Sequence, residues 1–291
     1  MITLLYNEFA NSGKGKEDAE NAVAELQSLG VNVSTENMAS LVGLDPKPFF
    51  STLDEHDTVI IHGGDGTLNH LINNIGEVPF RCALLLYPSA GTGNDFQRDL
   101  PEETLDKETG LYRINDYVKN LPFVEVKGKK YRFLNGIGFG IDGECCVKAQ
   151  EMKAAGEGNV DYGSITVKLL MGPFSPSKAT IRLDGGDPIT IPKTYLASAM
   201  NGRYYGGGMA IAPKQDRFSG KLTFVCIHGK GKFGTLLLLP KLFSGTHVKN
   251  KKHCYLAYAK TIEVEFDRPC GLQIDGEVVI GVTSYKAYVA E

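Results

Sequence analysis

The sequence predicts an α/β domain followed by an all-β domain built as a sandwich, with the boundary near residue 123. Before that point, short continuous apolar runs alternate with stretches of helical periodicity, which is the pattern of a parallel sheet covered on both faces. Beyond it, strand-like runs flank hairpin-type turn sequences, which is typical of a mostly antiparallel domain. The predicted domains are therefore 1–123 and 124–291, and whether the C-terminal tail returns to the first domain stays open.

The composition is that of a water-soluble globular protein. Hydrophobic residues make up 42% and charged residues 22% of the 291 residues, which suffices for the cores of two domains. The net charge of −3 gives no indication of nucleic-acid binding. The six cysteines form no CxxC pair, and no signal peptide or membrane-spanning run is visible. We therefore expect a cytoplasmic protein with reduced thiols that is at most peripheral to a membrane.

Four apolar runs predict the strands of the first domain, at residues 2–6, 31–34, 59–61 and 83–87. Between the first two runs, apolar residues from Ala19 to Leu29 recur at helical spacing, and Gly30 ends the helix. Ligands of parallel sheets bind at the carboxyl ends of the strands. The polar loops 7–16, 63–69 and 88–95 are therefore expected to line one binding edge.

The loop after the third strand is the most informative stretch of the chain. Gly63, Gly64 and Gly66 let bare backbone approach a ligand, and the helix behind them offers unpaired N–H groups to an anion such as phosphate. Asp65 lies inside this cradle, where its carboxylate would repel phosphate unless a divalent cation or a proton lies between them. The alternative is that Asp65 only caps the helix or shapes the turn.

The other two loops carry polar groups to the same predicted edge. In the third loop, Thr92 and Asn94 offer hydrogen bonds to a nucleotide, and Asp95 adds a second carboxylate. A lysine of the first loop, Lys14 or Lys16, either reaches a phosphate or is simply solvated. The chain has no G-x-x-x-x-G-K-[ST] sequence, so a P-loop is excluded.

The second domain is predicted from strand-like runs at 123–126, 131–134, 179–183, 188–191, 195–200, 222–227, 262–266 and 278–282, with helical insertions near 144–171 and 231–243. The glycines of 138–143 match GxGxxG. They lie in the antiparallel half, however, and favour close packing over dinucleotide binding.

Two segments of this domain allow more than one interpretation. The Asp-Gly-Glu sequence at 275–277 suits a plain hairpin turn, or it presents Glu277 as a general base towards a substrate hydroxyl. Residues 235–243 are densely apolar and have lysines around them in the sequence. They suit a core helix with solvated lysines, or an interfacial face towards anionic lipid.

Together these residues resemble the diacylglycerol kinase catalytic-domain family, in its branch of bacterial soluble lipid kinases. The resemblance spans nearly the whole chain and rests on ordered motifs: Gly-Gly-Asp-Gly-Thr-Leu-Asn at 63–69, Gly-Thr-Gly-Asn-Asp-Phe at 91–96, Tyr-Gly-Gly-Gly at 205–208 with Ala-Pro at 212–213, Gly-Thr-His at 245–247 and Asp-Gly-Glu at 275–277. NAD kinases share the Gly-Gly-Asp-Gly turn but lack the second motif, which favours the lipid branch.

The resemblance implies an NAD-kinase-like α/β domain, a C-terminal β-sandwich and MgATP in the cleft between them. It implies transfer of the γ-phosphoryl group to the hydroxyl of diacylglycerol or a similar lipid alcohol, a step of phospholipid metabolism, during transient visits to a membrane. Glu277 is implied as the proton acceptor, and Asp65 is implied to act at the phosphates through Mg²⁺ or water. The nucleotide contacts implied are Asn7, Ser12, Gly13, Thr35, Gly63, Gly64, Gly66, Thr67, Asn69 and Thr92, in addition to Asn94. No metal-ligand set is assigned.

The chain departs from the family pattern at two places. Glu8 follows Asn7 where the family often has proline. Ser219 stands where bacterial members have an aspartate of a structural Mg²⁺ site, so that site is expected to be weakened or lost although Asp216 remains. Two alternatives stay open: a nucleotide-binding regulatory protein with little kinase activity, and a kinase of a soluble hydroxyl such as that of NAD. Monomer and homodimer both stay open.

Overall fold

The structure is a computed structural model that describes residues 1–38, 45–76, 78–88, 94–156 and 160–290, with the backbone only for residues 11 and 12. The chain forms two compact units, Met1–Leu121 and Pro122–Glu291.

The first unit is an α/β domain, as predicted. Its strands are β1 (Ile2–Tyr6), β2 (Ser34–Asn37), β3 (Thr58–His62), β4 (Ala83–Tyr87) and β5 (Tyr112–Arg113). Its helices are α1 (Ala10–Gly13), α2 (Gly15–Ser28), α3 (Lys47–Ser51), α4 (Asp65–Ile75), α5 (Asp95–Asp99) and α6 (Asn115–Lys119), with a 3₁₀ turn at Glu102–Thr104. The strands pair in the order β2-β1-β3-β4-β5, and β5 alone of these runs antiparallel. The central strands are apolar throughout because helices cover both faces of the sheet.

Two predictions for this unit are wrong in detail. The second strand begins at Ser34 rather than at residue 31, because Val33 packs into the core just before a polar strand that lies at the sheet edge. The predicted loop 7–16 contains α1 and the start of α2. Asn7 starts this turn: its Oδ1 accepts the N–H of Phe9 at 3.0 Å, and its carbonyl accepts the N–H of Ala10 at 3.0 Å.

The second unit consists of antiparallel strands with helices packed on them. The strands are β6 (Phe123–Val126), β7 (Lys129–Arg132), β8 (Gly136–Gly140), β9 (Ser177–Leu183), β10 (Ile189–Met200), β11 (Leu222–His228), β12 (Cys254–Ala259), β13 (Thr261–Ile274) and β14 (Glu277–Tyr288). The helices are α7 (Ile141–Ala154), α8 (Tyr162–Met171), α9 (Gly231–Leu236) and α10 (Leu239–Phe243), with a 3₁₀ turn at Thr246–Lys249.

The strands follow the order β12-β11-β10-β8-β13-β14-β6-β7, and β9 pairs with both β10 and β13. The sheet curls over itself: the Tyr285 hydroxyl of β14 donates to the Ala197 carbonyl of β10 at 3.4 Å, although these strands are not neighbours in the order. Phe139, Ile181 and Phe224, from three different strands, share the enclosed core. This arrangement confirms the predicted β-sandwich.

Strands β8 and β12 were not predicted from the sequence, and β10 was predicted as two separate strands. In β8, three of five residues are glycine, which lowers strand propensity, yet β10 and β13 pair with it on both sides and hold it in the sheet.

Candidate active site

The carboxyl ends of the parallel strands lie side by side in the first unit. Tyr6 is in register with His62, and His62 with Tyr87. The segments that begin at Asn7, Gly63 and Pro88 therefore leave the sheet at one edge, which is where ligands of such sheets bind. Asn37 ends β2 opposite Tyr6 and reaches the same edge. Sequence reasoning missed Asn37 because it placed that strand three residues too early.

The Gly63-Gly64 turn leads from β3 directly into α4. A Cβ at Gly63 would lie 2.5 Å from Thr67 Oγ1, so the fold of this loop requires glycine there. The carbonyl of Gly64 accepts the N–H groups of Thr67 and Leu68 at 3.0 and 3.2 Å, which closes the first turn of the helix. A Cβ at Gly66 would meet no described atom within 4 Å. The opening turn of α4 is therefore accessible to an anionic group on its Gly66 side.

Asp65 joins this turn to the second glycine motif. Its Oδ2 accepts the N–H of Asp95 at 2.9 Å, and the N–H of Phe96 lies 3.2 Å from Oδ1 and 3.3 Å from Oδ2. These amides open α5, whose own N-cap residue, Asn94, makes no side-chain capping bond. Asp65 therefore caps a helix, but the capped helix is α5 and not α4, where Asp65 itself lies. The Asp65 carboxylate therefore links the two motifs.

The other predicted nucleotide contacts occupy different settings. Asn69 is 6% exposed, and its Oδ1 accepts Asn73 Nδ2 at 3.2 Å within α4. Thr35 is exposed in β2 opposite Leu4, two residues before the strand end. Gly13 ends α1 at a φ of +88°. Thr92 and the side chain of Ser12 lie outside the described residues.

One further glycine near this edge escaped sequence reasoning. A Cβ at Gly15 would overlap the carbonyl oxygen of Asn7, so α2 begins in direct backbone contact with the end of β1. The signal was present in the glycines of the Ser-Gly-Lys-Gly-Lys sequence of the loop, where only the lysines were considered, as phosphate contacts or as solvated side chains.

Two aromatic side chains end the neighbouring strands at this edge. The rings of His62 and Tyr87 lie 5.1 Å apart, centroid to centroid. Burial lowers the pKa of His62, so its imidazole is neutral at pH 7 and contributes no positive charge to the edge. Burial and a hydrogen bond to Glu25 raise the pKa of Tyr87 to about 12.

In the second unit, Glu277 is exposed at the first position of β14, directly after a two-residue turn. Asp275 and Gly276 both have positive φ, 47° and 94°, as a tight Asp-Gly hairpin turn requires. The Asp275 carboxylate accepts the backbone N–H groups of Leu134, Asn135 and Gly136 at 2.5, 2.8 and 3.0 Å. The turn that carries Glu277 is thus tied to the start of β8, a role for Asp275 that the sequence did not indicate.

A second chain of hydrogen bonds connects this turn to the first residues of α7. The N–H of Gly276 donates to Gln273 Oε1 at 2.7 Å, and Gln273 Nε2 donates to Asp142 Oδ2 at 2.9 Å. The hydroxyl of Tyr205 also contacts Asp142 and lies 3.0 Å from Ser198 Oγ. Burial of the carboxyl group raises the pKa of Asp142 to about 6.

The GxGxxG sequence at 138–143 belongs to this packing. A Cβ at Gly138 would overlap Asp142 Oδ2, a Cβ at Gly140 would lie 2.5 Å from the Tyr195 carbonyl oxygen, and one at Gly143 would overlap the backbone of Gly271. The glycines therefore bring α7 against β13, in an antiparallel setting.

The described residues contain no group of three or more His, Cys, Asp or Glu side chains arranged to hold a metal ion. Asp216 Oδ1 accepts the N–H of Phe218 at 2.9 Å, and Ser219 Oγ donates to the Asp216 carbonyl at 2.7 Å. The loss of the family's structural Mg²⁺ site at Ser219 stays a prediction. None of the described helices is both long and apolar enough to cross a membrane.

Comparison with known families decides where this arrangement belongs. The model of the YegS C-terminal NAD kinase beta sandwich-like domain matches residues 135–288, and that of the diacylglycerol kinase catalytic domain matches residues 1–122. The chain belongs to the diacylglycerol kinase family. Among its relatives in this family is a diacylglycerol kinase of Mycobacterium tuberculosis, 26% identical over 273 residues that cover 91% of this chain and 84% of that protein. A diacylglycerol kinase of Bacillus subtilis is 23% identical over 276 residues, covering 94% and 88%.

Solved structures support the fold assignment. A crystal structure of a diacylglycerol kinase from Bacillus anthracis strain Sterne matches all of this chain and 94% of its own, with a TM-score of 0.67 and 20% identity. This structural similarity covers both units of the chain.

Proposed function

We propose that the chain is an ATP-dependent lipid kinase that transfers the γ-phosphoryl group to the hydroxyl of diacylglycerol or a similar lipid alcohol. The observation that carries this proposal is the bond set of Asp65, which unites the Gly63–Gly66 turn and the start of α5 at one sheet edge. A kinase that only positions phosphates and neutralises charge needs such a rigid backbone platform more than covalent chemistry.

The first unit offers groups that suit a nucleotide phosphate chain. In α4 the first hydrogen bonds of the helix are those of the Thr67 and Leu68 N–H groups to the Gly64 carbonyl, and the helix dipole adds partial positive charge at this end. Gly66 keeps the backbone uncovered on that side. Asn7 and Asn37 stand at the ends of the adjacent strands, where their amides are suited to the sugar or the base.

The residues also fit a Mg²⁺ ion that Asp65 contacts through water. The oxygens of Asp65 already accept bonds from two backbone amides, so we expect Asp65 to reach a cation through water rather than as one of several protein ligands. When bound with ATP, Mg²⁺ would neutralise charge on the β- and γ-phosphates. No further protein carboxylate is required for that, because Mg²⁺ in nucleotide sites keeps several waters.

Glu277 is the proposed proton acceptor for the lipid hydroxyl. It is exposed, and its turn is held rigidly by Asp275 from one side and Gln273 from the other. A general base gains from such fixed geometry because proton transfer requires the two heavy atoms at hydrogen-bond distance.

The proposal is tested by offering labelled ATP and Mg²⁺ to a panel of acceptors. The panel contains diacylglycerol, monoacylglycerol, sphingosine and undecaprenol in mixed micelles, with NAD as the soluble acceptor. We expect label in a lipid and none in NAD. Label in NAD alone would assign a soluble acceptor instead, and clear ATP binding without any labelled product would favour the nucleotide-binding regulatory role.

A further inference from the structure

Two segments of the second unit are free of acidic residues. Residues 162–183 and 217–262 contain no aspartate or glutamate, although the chain has 34 of them among 291 residues and a net charge of −3. The longer segment carries eight lysines and one arginine. In this otherwise acidic protein, positive charge is concentrated without compensation along these segments.

The helices α9 and α10, within the longer segment, expose large apolar side chains. Phe233 is 70%, Leu237 72% and Phe243 55% exposed. Phe233 and Leu237 are four residues apart, and Leu237 keeps helical backbone angles, so the two side chains share one face. Solvated helices normally turn polar residues outward.

The inward side of the same helices already has a core. Leu238 and Leu242 are buried, and they pack with Leu170, Val225 and Ile227 on the outer surface of the sheet. His247 fastens the following turn, with Nε2 3.0 Å from the Ile211 carbonyl oxygen and Nδ1 3.3 Å from that of Lys241. The helices therefore have two apolar faces. One packs in the core, and the exposed residues form the other.

Helix α8 extends this face. It packs against α9, and Lys232 Nζ donates to the Gly172 carbonyl at 2.6 Å. Met171, the last residue of α8, is 45% exposed beside this bond. Exposed lysines follow in the chain at Lys241, Lys249, Lys251 and Lys252.

We propose that Phe233, Leu237 and Phe243, with the lysines of the same acid-free segment, dock the protein onto an anionic lipid surface. Exposed apolar side chains that can insert at the headgroup level, within a stretch of the chain that has eight lysines and no acidic residue, match the chemistry of such a surface. The inference rests on the proposed function in one respect only, which is that docking would bring the enzyme to its lipid substrate. Docking itself requires no turnover.

The test measures binding of the full chain to sedimented vesicles, without nucleotide. Vesicles of phosphatidylcholine with 30% phosphatidylglycerol should bind the wild type, and vesicles of phosphatidylcholine alone should bind it far less. The Phe233→Ser/Leu237→Ser variant should lose about tenfold or more of this binding. The Lys249→Gln/Lys251→Gln/Lys252→Gln variant should lose about a hundredfold, because each lysine near an anionic surface is worth about fivefold.

Matched controls are available on the same chain. Ile280 is 64% exposed on β14, so Ile280→Ser removes an exposed apolar side chain elsewhere. Lys107→Gln/Lys119→Gln/Lys129→Gln removes three exposed lysines outside the two acid-free segments. Both controls should bind vesicles like the wild type. Equal vesicle binding by all variants would overturn the proposal. It would also be overturned if the wild type bound no vesicles and instead formed a dimer in ultracentrifugation that the Phe233→Ser/Leu237→Ser variant does not form.

A second readout separates this inference from the proposed kinase activity. With a short-chain diacylglycerol dissolved as monomers, Phe233→Ser/Leu237→Ser should turn over at the wild-type rate, while turnover on vesicles falls in step with binding. A protein that binds anionic vesicles but phosphorylates no lipid would contradict the kinase proposal and leave the docking face standing.

Discussion

At the scale of single residues, two aspartates, one in each unit, fix candidate functional loops by accepting backbone N–H groups. Asp65 takes the amides that open α5, and Asp275 takes those of residues 134–136. In both cases a charged carboxylate accepts backbone N–H groups, and such bonds are about twice as strong as neutral ones. Both residues act on the loops that carry the proposed chemistry.

Replacing Asp65 by asparagine should weaken the structure and the activity together. The amide keeps one acceptor oxygen but loses the charge that favours the N-terminus of α5, so we expect a loss of about 1–2 kcal/mol in the free energy of unfolding. Urea denaturation measures this loss, and turnover should fall as well. Asp116→Asn, in the first turn of α6 and exposed, is the matched control. Wild-type stability and turnover in the Asp65→Asn variant would contradict the linking role.

Asp142 should make stability depend on pH in a recognisable direction. Burial raises its pKa from 3.8 to about 6. The folded state then binds the proton more tightly than the unfolded chain, which increases the free energy of unfolding at low pH. This contribution is fully present below about pH 4 and is lost as the pH rises through 6. Asp142→Asn does not titrate there. Its free energy of unfolding should therefore rise relative to the wild type by up to about 3 kcal/mol between pH 4 and pH 7.

Urea unfolding of both proteins across that pH range tests this prediction. Asp187→Asn, an exposed aspartate of the same unit, controls for the loss of a surface charge. A stability difference between Asp142→Asn and wild type that stays constant with pH would contradict the assignment.

At the scale of elements, the glycines of 138–143 set the distance between β8, α7 and β13. A Cβ at Gly138 would overlap Asp142 Oδ2 and lie 2.9 Å from Gln273 Nε2. Gly138→Ala should therefore destabilise the second unit by about 1–3 kcal/mol. Asp142→Ala removes the obstructing carboxylate, so the double variant should cost less than the sum of the single ones by about 1 kcal/mol or more. Strict additivity in urea unfolding would show that Gly138 and Asp142 do not compete for space.

Elements differ in how well their sequence predicts them. The β3–α4 turn is predictable, because a buried strand, three glycines and helical periodicity all indicate the same structure. Strand β8 is not, because its glycines oppose strand formation and only its neighbours hold it in place. Strand β2 is a different case. Its residues are polar because it lies at the edge of the sheet, where pairing with one neighbouring strand, β1, is enough to hold it in place.

The candidate site shows the same limit. The glycines and Glu277 stand out in the sequence because their types and order carry the information. The link from Asp65 to Asp95 spans 30 residues, and the links from Asp275 to residues 134–136 span about 140. No local pattern encodes such contacts, because they arise from tertiary packing of segments far apart in the chain.

At the scale of the whole molecule, each unit contributes a different part of the proposed reaction. In the proposal the first unit supplies the backbone amides that bind the phosphates, and the second supplies Glu277 on its turn and the exposed apolar face of α9 and α10. The family models match these units separately, at residues 1–122 and 135–288. Under this account neither unit alone contains all groups that phosphoryl transfer to a lipid requires.

The most direct test of the account is γ-phosphate transfer from ATP to diacylglycerol by Glu277→Gln and by wild type. Glu265→Gln, an exposed glutamate on β13, is the matched control. We predict that Glu277→Gln loses about 10²–10⁴-fold in kcat while binding ATP with unchanged affinity in calorimetry, and that Glu265→Gln behaves like wild type. Wild-type turnover by a folded Glu277→Gln variant would contradict the central claim.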